Sequence, residues 1–315
     1  MIGNFTQLYE AANHVRGKRL VVVYPDNEET FEAVRGACGL PLEEIVLVGD
    51  KIIISRNLEE LVPGSGPKIS FIWTSEIHEA LRASIALVKG GRGGILMKGG
   101  VDTSTMMKAV LQEGSGLRTG RLLSDIFILE FPQRDGNKFV MITDGGMTLS
   151  PDLKNKAELI ANAVEVAHAL GNPNPKVAVL SATEFIVPSL QSTLDAAALS
   201  KMNERGQIRG CVVDGPFALD NAISPEAAEE KGIVSPVAGR AEILIAANIE
   251  SANSLAKSTT YFAGLRLAHV IVGGAVPILI PSRSDKSEAK LLSVALGMIM
   301  AGHGNGHDST TFSQV

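Results

Sequence analysis

Ser282, Arg283, Ser284 and Asp285 follow directly on the apolar run Ile278 to Ile280 and Pro281. A guanidinium is a forked, permanently charged donor suited to phosphate, a serine hydroxyl adds a neutral donor, and a carboxylate can take a proton. The four residues therefore read as a loop that holds an anion and moves a proton. They read equally as a helix cap, with Asp285 paired to Glu288 three residues on. The two readings coexist, because a helix N-terminus is itself an anion site.

Three further corners carry polar groups at strand ends. Lys98 closes GILMK and precedes Gly99-Gly100 and a helix starting near Thr103, so Lys98, Thr103 and Ser104 could hold a phosphate. The alternative there is a solvated lysine and an ordinary threonine cap. Asp220 and Asn221 follow strand GCVVDG, brought to its carboxyl end by an expected Gly215-Pro216 turn. Glu250 and Asn253 stand in the same relation to EILIAA, in what would otherwise be a common helix start. Taken together, the corners outline the walls of a cleft.

The elements that must position them alternate from the start. Helices are expected over residues 4–16, 28–37, 75–88 and 103–112, with strands at RLVVVY, EIVLV and GILMK, then DIFILEF and KFVMIT. A second series follows: a helix over residues 151–170, KVAVL, a helix near 190–203, GCVVDG, a short helix near Pro225, EILIAA, a helix over 251–263 and HVIVGG. Repeated βα units with short apolar strands predict a largely parallel sheet covered by helices. The restart places a boundary near Asp144-Gly145-Gly146. The expected first α/β domain is 1–145 plus 281–315, with a closing helix over residues 285–301 returning to it, and 146–280 forms the second. The polar, Gly-rich tail is expected to be frayed.

Composition narrows the class. The 315 residues suit about two domains of ~150 residues. They are 45% hydrophobic but only 4% aromatic, which fits helices packed on buried strands. A net charge of −5 without a basic, aromatic-interleaved stripe argues against nucleic-acid binding. No apolar run nears membrane-spanning length and the N-terminus lacks signal-peptide character, so no membrane association and a cytoplasmic location are expected. Cys38 and Cys211 form no CxxC. His303 and His307 have metal-like spacing without a carboxylate scaffold, so no metal site is expected. KGGRGGILMKGG lacks the Gly-Lys-Ser/Thr order of a P-loop. GSGLRTG leads into a strand, whereas a dinucleotide fingerprint follows one and opens a helix.

Over most of its length the chain resembles the phosphate acetyl/butyryltransferase family. The likeness runs through KGGVDTSTMMKAVL, RTGRLLSDIFILEFP, TDGGMTLSPDL, KVAVLSATE, DAAALSKMNERGQIRGCVVDGPFALDNAISPEAAEEKGI, SPVAGRAEILI and VPILIPSRSDKSEAKL. It implies reversible acyl transfer between coenzyme A and inorganic phosphate, giving acyl phosphate and free CoA. The expected acyl group is short or branched, of butyryl type. It also implies two α/β/α domains around a cleft, a fold similar to isocitrate and isopropylmalate dehydrogenases, and a homodimer or higher homo-oligomer. CoA is then a substrate, with no bound cofactor. The family's Ser-Arg loop falls on Ser282 and Arg283. Asp285 is the nearest candidate for the base that deprotonates the thiol, and Lys98, Thr103, Ser104, Asp220, Asn221, Glu250 and Asn253 are the candidates for binding phosphate and CoA.

Three positions depart from the family pattern. The acetyltransferases' catalytic Asp would align with Ala289, which is why Asp285 stands in. Their phosphate-binding Arg would fall near Met107, leaving Lys98 or Lys108 to supply the charge. The segment Ala247 to Asn253 loses an Asp and a Gly but keeps Glu250 and Asn253. Two other classes stay in view: an NAD-dependent dehydrogenase of similar fold, which would need a metal-binding Asp cluster and a cofactor site, and a catalytically silent protein that binds CoA or acyl phosphate.

Overall fold

The structure is a computed structural model that describes residues 1–58 and 66–303. The expected frayed tail, with His307, lies outside the described residues. No helix among them is long and apolar enough to cross a membrane.

The chain folds into two compact units. The first comprises, of the described residues, Phe5–Arg121 and Ala268–His303; the second comprises Met1–Asn4 and Leu122–Leu267. The first unit holds α1 (Phe5–Ala12), β1 (Arg19–Val23), α2 (Glu28–Ala37), β2 (Glu44–Gly49), α3 (Lys51–Leu58), β3 (Lys68–Trp73), α4 (Ile77–Lys89), β4 (Ile95–Lys98) and α5 (Thr103–Leu111). The second holds β5 (Ser124–Glu130), β6 (Phe139–Thr143), α6 (Leu153–Ala169), β7 (Lys176–Leu180), α7 (Gln191–Glu204), β8 (Val212–Phe217), α8 (Leu219–Ile223), α9 (Pro225–Glu230), β9 (Ile243–Ile245) and α10 (Ile249–Tyr261). The chain then returns through β10 (Leu267–Val272), β11 (Ile278–Leu279) and α11 (Ser287–His303).

In the first unit the strands run in the order β3-β2-β1-β4-β11-β10, parallel from β3 to β11, with β10 antiparallel to β11. Leu20 to Val23, Ile45 to Val48 and Ile95 to Lys98 are buried throughout, as strands covered on both faces must be. Within this unit α11 packs on α1 and α2, so the final helix does return to the first part of the chain. In the second unit the order is β5-β6-β9-β7-β8, with β5 and β6 antiparallel and the rest parallel. Asp152 caps α6 reciprocally with Asn155, where the sequence predicts an N-terminus.

The structure differs from expectation in four places. The units divide at residues 121/122 and 267/268, not near 145 and 280, because β5 and β6 pair with each other and β6 pairs with β9. That antiparallel pair also qualifies the expected parallel sheet. Strand β3 and helix α3 are additions; β3 is an edge strand of mixed burial whose Phe71 and Trp73 rings stack at 4.9 Å, so its pattern reads as neither period. Gly215-Pro216 lies inside β8 and makes no turn. An edge strand tolerates the missing N–H, and the β7–β8 register shifts there.

Candidate active site

The first unit aligns three strand ends. β4 lies between β1 and β11, all parallel, with Val23 opposite Lys98 and Leu279 opposite Met97. Their carboxyl ends therefore emerge together, and an open α/β sheet gathers ligands there. β1 leads into Tyr24, Pro25 and Asp26, β4 into Gly99 and Gly100, and β11 into Ile280, Pro281 and Ser282. Space requires a glycine at position 99, where the neighbours are backbone, whereas at position 100 the neighbour is a side chain that can turn away. A Cβ on Gly99 would come within 2.6 Å of the Val23 and Tyr24 carbonyl oxygens. One on Gly100 would fall 2.0 Å from Asp26 Oδ2.

Lys98 is 3% exposed. Among the described residues its ammonium has no hydrogen-bond partner and no ion pair. Burial pushes it below the ordinary lysine range, the charges of Arg283 and Lys290 push the same way, and Asp285 and Asp26 oppose them. A buried cation without an ion pair is costly unless something neutralises it. The charge of Arg283 also reaches Asp102, which its hydrogen bonds with Thr105 hold below the usual carboxylate range. Asp102 caps α5 by accepting from Thr105 N at 2.8 Å, and Thr103 and Ser104 form the first turn behind it. The structure thus brings Lys98, Thr103, Ser104 and Arg283 to one corner.

The Ser282–Asp285 loop is braced from within. Asp285 Oδ2 accepts from Ser282 N at 2.7 Å, Asp285 N donates to Ser282 O at 3.1 Å, and Lys290 Nζ donates to Asp285 O at 2.6 Å. His269 on β10 places Nε2 3.8 Å from the same Oδ2. The α11 helix begins at Ser287, and the Asp285 carboxylate closes the turn that leads into it by accepting from Ser282 N. Ser282 Oγ lies 3.0 Å from Ser284 Oγ, and Arg283 is exposed.

The second unit carries the other candidates at two strand ends that β7 separates. In α8, Asp220 pairs with Lys231 at 3.0 Å, and this hydrogen bond holds the carboxyl below its usual range. Asn221 is fully buried, donates to Glu184 Oε2 at 3.2 Å and leaves Oδ1 without a partner. Glu250 lies exposed in the first turn of α10, which Asn248 caps. Asn253 Nδ2 donates to Gly145 O at 3.0 Å, securing the loop after β6. In that loop Asp144 accepts from the backbone N–H groups of Asp125, Gly146, Met147 and Thr148. Burial, with the charge of Asp125, raises its pKa to about 6 against those donors.

Sequence pattern misses Asp26, Lys290, His269 and Asp144. Asp26 had a legible signal, since it follows RLVVVY much as Lys98 closes GILMK; the others depend on long-range packing. Burial pushes the Cys211 thiol to about 12, which disarms it as a nucleophile. Among the described residues no group of three or more His, Cys, Asp or Glu side chains could hold a metal.

Known proteins share this chain's sequence and fold. A phosphate acetyltransferase from Thermotoga maritima is 44% identical over 287 residues, which cover 91% of this chain and 96% of that protein. A phosphate butyryltransferase from Clostridium beijerinckii is 40% identical over 304 residues, covering 96% and 99%. The crystal structure of a branched-chain phosphotransacylase from Enterococcus faecalis V583 superposes with a TM-score of 0.78 at 28% identity, covering 90% of this chain and 99% of that one. The family model described as phosphate acetyl/butaryl transferase matches residues 68–298, and with such relatives along nearly its whole length the chain belongs to that family.

Proposed function

We propose that the chain is a phosphate acyltransferase, moving a short or branched acyl group of butyryl type reversibly between CoA and inorganic phosphate. The observation that carries this reading is Lys98, a residue only 3% exposed whose ammonium makes no ion pair among the described residues, electrostatically coupled to Arg283 beside the N-terminus of α5. Such a corner suits a phosphate dianion. Thr103 and Ser104 add donors from the helix end. In the direction of acyl-CoA formation the thiol loses its proton to a carboxylate and the thiolate attacks the acyl-phosphate carbonyl. Ser282 and nearby N–H groups stabilise the oxyanion, and Arg283 with Lys98 neutralises the departing phosphate. A free thiol with a pKa of about 8.5 is only partly ionised at neutral pH, so a carboxylate base aids attack. Asp285 is the candidate that sequence singles out for that base. Asp220, Asn221, Glu250 and Asn253 are assigned to CoA.

The relatives' names support an acyl group between acetyl and butyryl, and the branched-chain neighbour supports branching. CoA enters as a substrate, with no resident cofactor. The same reading carries the isocitrate and isopropylmalate dehydrogenase-like fold, a homodimeric or larger assembly and a cytosolic setting. The test is phosphate-dependent CoA release from acetyl-, butyryl-, isobutyryl- and isovaleryl-CoA, with and without NAD, in wild type and Arg283→Ala. Release favouring the four- and five-carbon groups, independent of NAD and abolished by Arg283→Ala, supports the reading. Absence of release from all four overturns it.

A further inference from the structure

Asp26 is the carboxylate at the strand ends that the family pattern leaves without a role. It follows β1 beside Lys98, and its carboxylate lies over Gly100, where a Cβ would come within 2.0 Å of Oδ2 and turn the side chain away. Hydrogen bonds close the approach: Gly100 N donates to Tyr24 O at 2.7 Å and Gly99 N to Val23 O at 2.8 Å. Asn27 Nδ2 donates to Asp26 Oδ1 at 2.8 Å, which fixes the carboxylate. Among the described residues no donor reaches Oδ2, and the side chain is exposed. Its charge is felt at Lys98, opposing the effect of burial there. Asp285 is the reverse case, because its Oδ2 already accepts the Ser282 amide and its side chain is only 12% exposed.

We propose that Asp26 is the catalytic base that takes the CoA thiol proton, while Asp285 braces the Ser282–Arg283 loop; this rests on the phosphate acyltransferase reading. The S–H proton passes to Asp26 Oδ2 as the S–C bond forms at the acyl carbonyl. The C–O bond to phosphate then breaks, and its electron pair leaves with the phosphate toward Lys98 and Arg283. The product phosphate carries one more proton than the phosphoryl group of the acyl phosphate, so Asp26 hands its proton to the departing oxygen. No other acid or base is consumed. In reverse, Asp26 takes that proton from phosphate and returns it to the leaving thiolate. A carrier serving both partners must stand at the rim of the phosphate site, which is where the β1–β4 register puts Asp26.

The experiment measures kcat and KM for phosphate against pH for wild type, Asp26→Asn, Asp26→Glu and Asp285→Asn, using butyryl-CoA and the full chain. Urea denaturation of each variant checks folding. Asp26→Asn is expected to lower kcat by about 10²- to 10³-fold, to leave KM for phosphate within about twofold, and to remove the acid limb of the kcat profile. Asp26→Glu should restore part of the rate and the limb. Asp285→Asn should keep the limb. The proposal falls if Asp26→Asn retains the limb and nearly full kcat, or if Asp285→Asn is the variant that loses it. A wild type that releases no CoA would instead overturn the acyltransferase reading and this proposal together.

Discussion

Lys98 in the first unit and Lys156 in the second are each 3% exposed, yet they are built differently. Lys156, on α6, meets Asp195 of α7 at 2.5 Å, and Gln191 Nε2 satisfies the other carboxylate oxygen at 2.8 Å. Lys98 has no such partner among the described residues; burial lowers its pKa, Arg283 and Lys290 add to that, and Asp285 and Asp26 oppose it. Removing one partner from a buried pair leaves an uncompensated charge, so Lys156 is a structural tie whose loss harms the fold. A buried cation left unpaired contributes nothing to stability. The proposed phosphate would supply the charge that the protein does not.

That contrast is breakable. Lys156→Met should cost about 3–5 kcal/mol by urea denaturation, because Asp195 is left buried and unpaired, with activity per folded molecule preserved. A loss below about 1 kcal/mol would dissolve the distinction from the structural side. Lys98→Met should do the opposite. Phosphate-dependent CoA release should fall by about 10²- to 10³-fold, as when a preorganised donor is removed, while the denaturation midpoint holds or rises. A destabilised but active Lys98→Met would make this lysine structural as well.

Asp144 is an intermediate case, a buried carboxylate held by four backbone donors but raised to about 6. Its folded pKa lies above the unfolded value of about 3.8, so its contribution to stability is full below about pH 4 and is lost as pH rises through about 6. Stability should therefore fall by about 3 kcal/mol across that window from this group, and Asp144→Asn should flatten the slope. An unchanged slope in the variant would assign it elsewhere. The smallest effect is expected at Asn253, whose amide secures Gly145 O: Asn253→Ala should lose about 1 kcal/mol in the same assay. A rate loss far beyond that destabilisation would instead favour its assignment to CoA.

Much of the site was legible because its groups sit immediately beyond apolar strands. Lys98 and Ser282-Arg283 can be found from adjacency alone, and the helix starting at Thr103 is where pattern puts it. The two possible uses of Asp285 could not be separated that way, because the Ser282 amide that its carboxylate accepts is fixed only by the folded turn. Asp26 was legible as a polar residue after a strand, but its place over Gly100 was not, because that relation crosses two strands far apart in the chain. The unit boundary was misplaced for a similar reason: β5 and β6 continue the pattern of short buried strands, and only their pairing with β9 assigns them to the second unit.

Sequence alone determined the alternation of strands and helices, the polar corner after each strand and the chemistry each corner offers, because these follow from local spacing and residue type. Which corners face one another was decided by the tertiary structure. β1, β4 and β11 are neighbours in the sheet although they are distant in the chain, and that order sets Asp26, Lys98 and Arg283 side by side. Burial and pairing are likewise sums over distant contacts. They give Lys156 an ion pair and leave Lys98 without one among the described residues, though both lysines are buried.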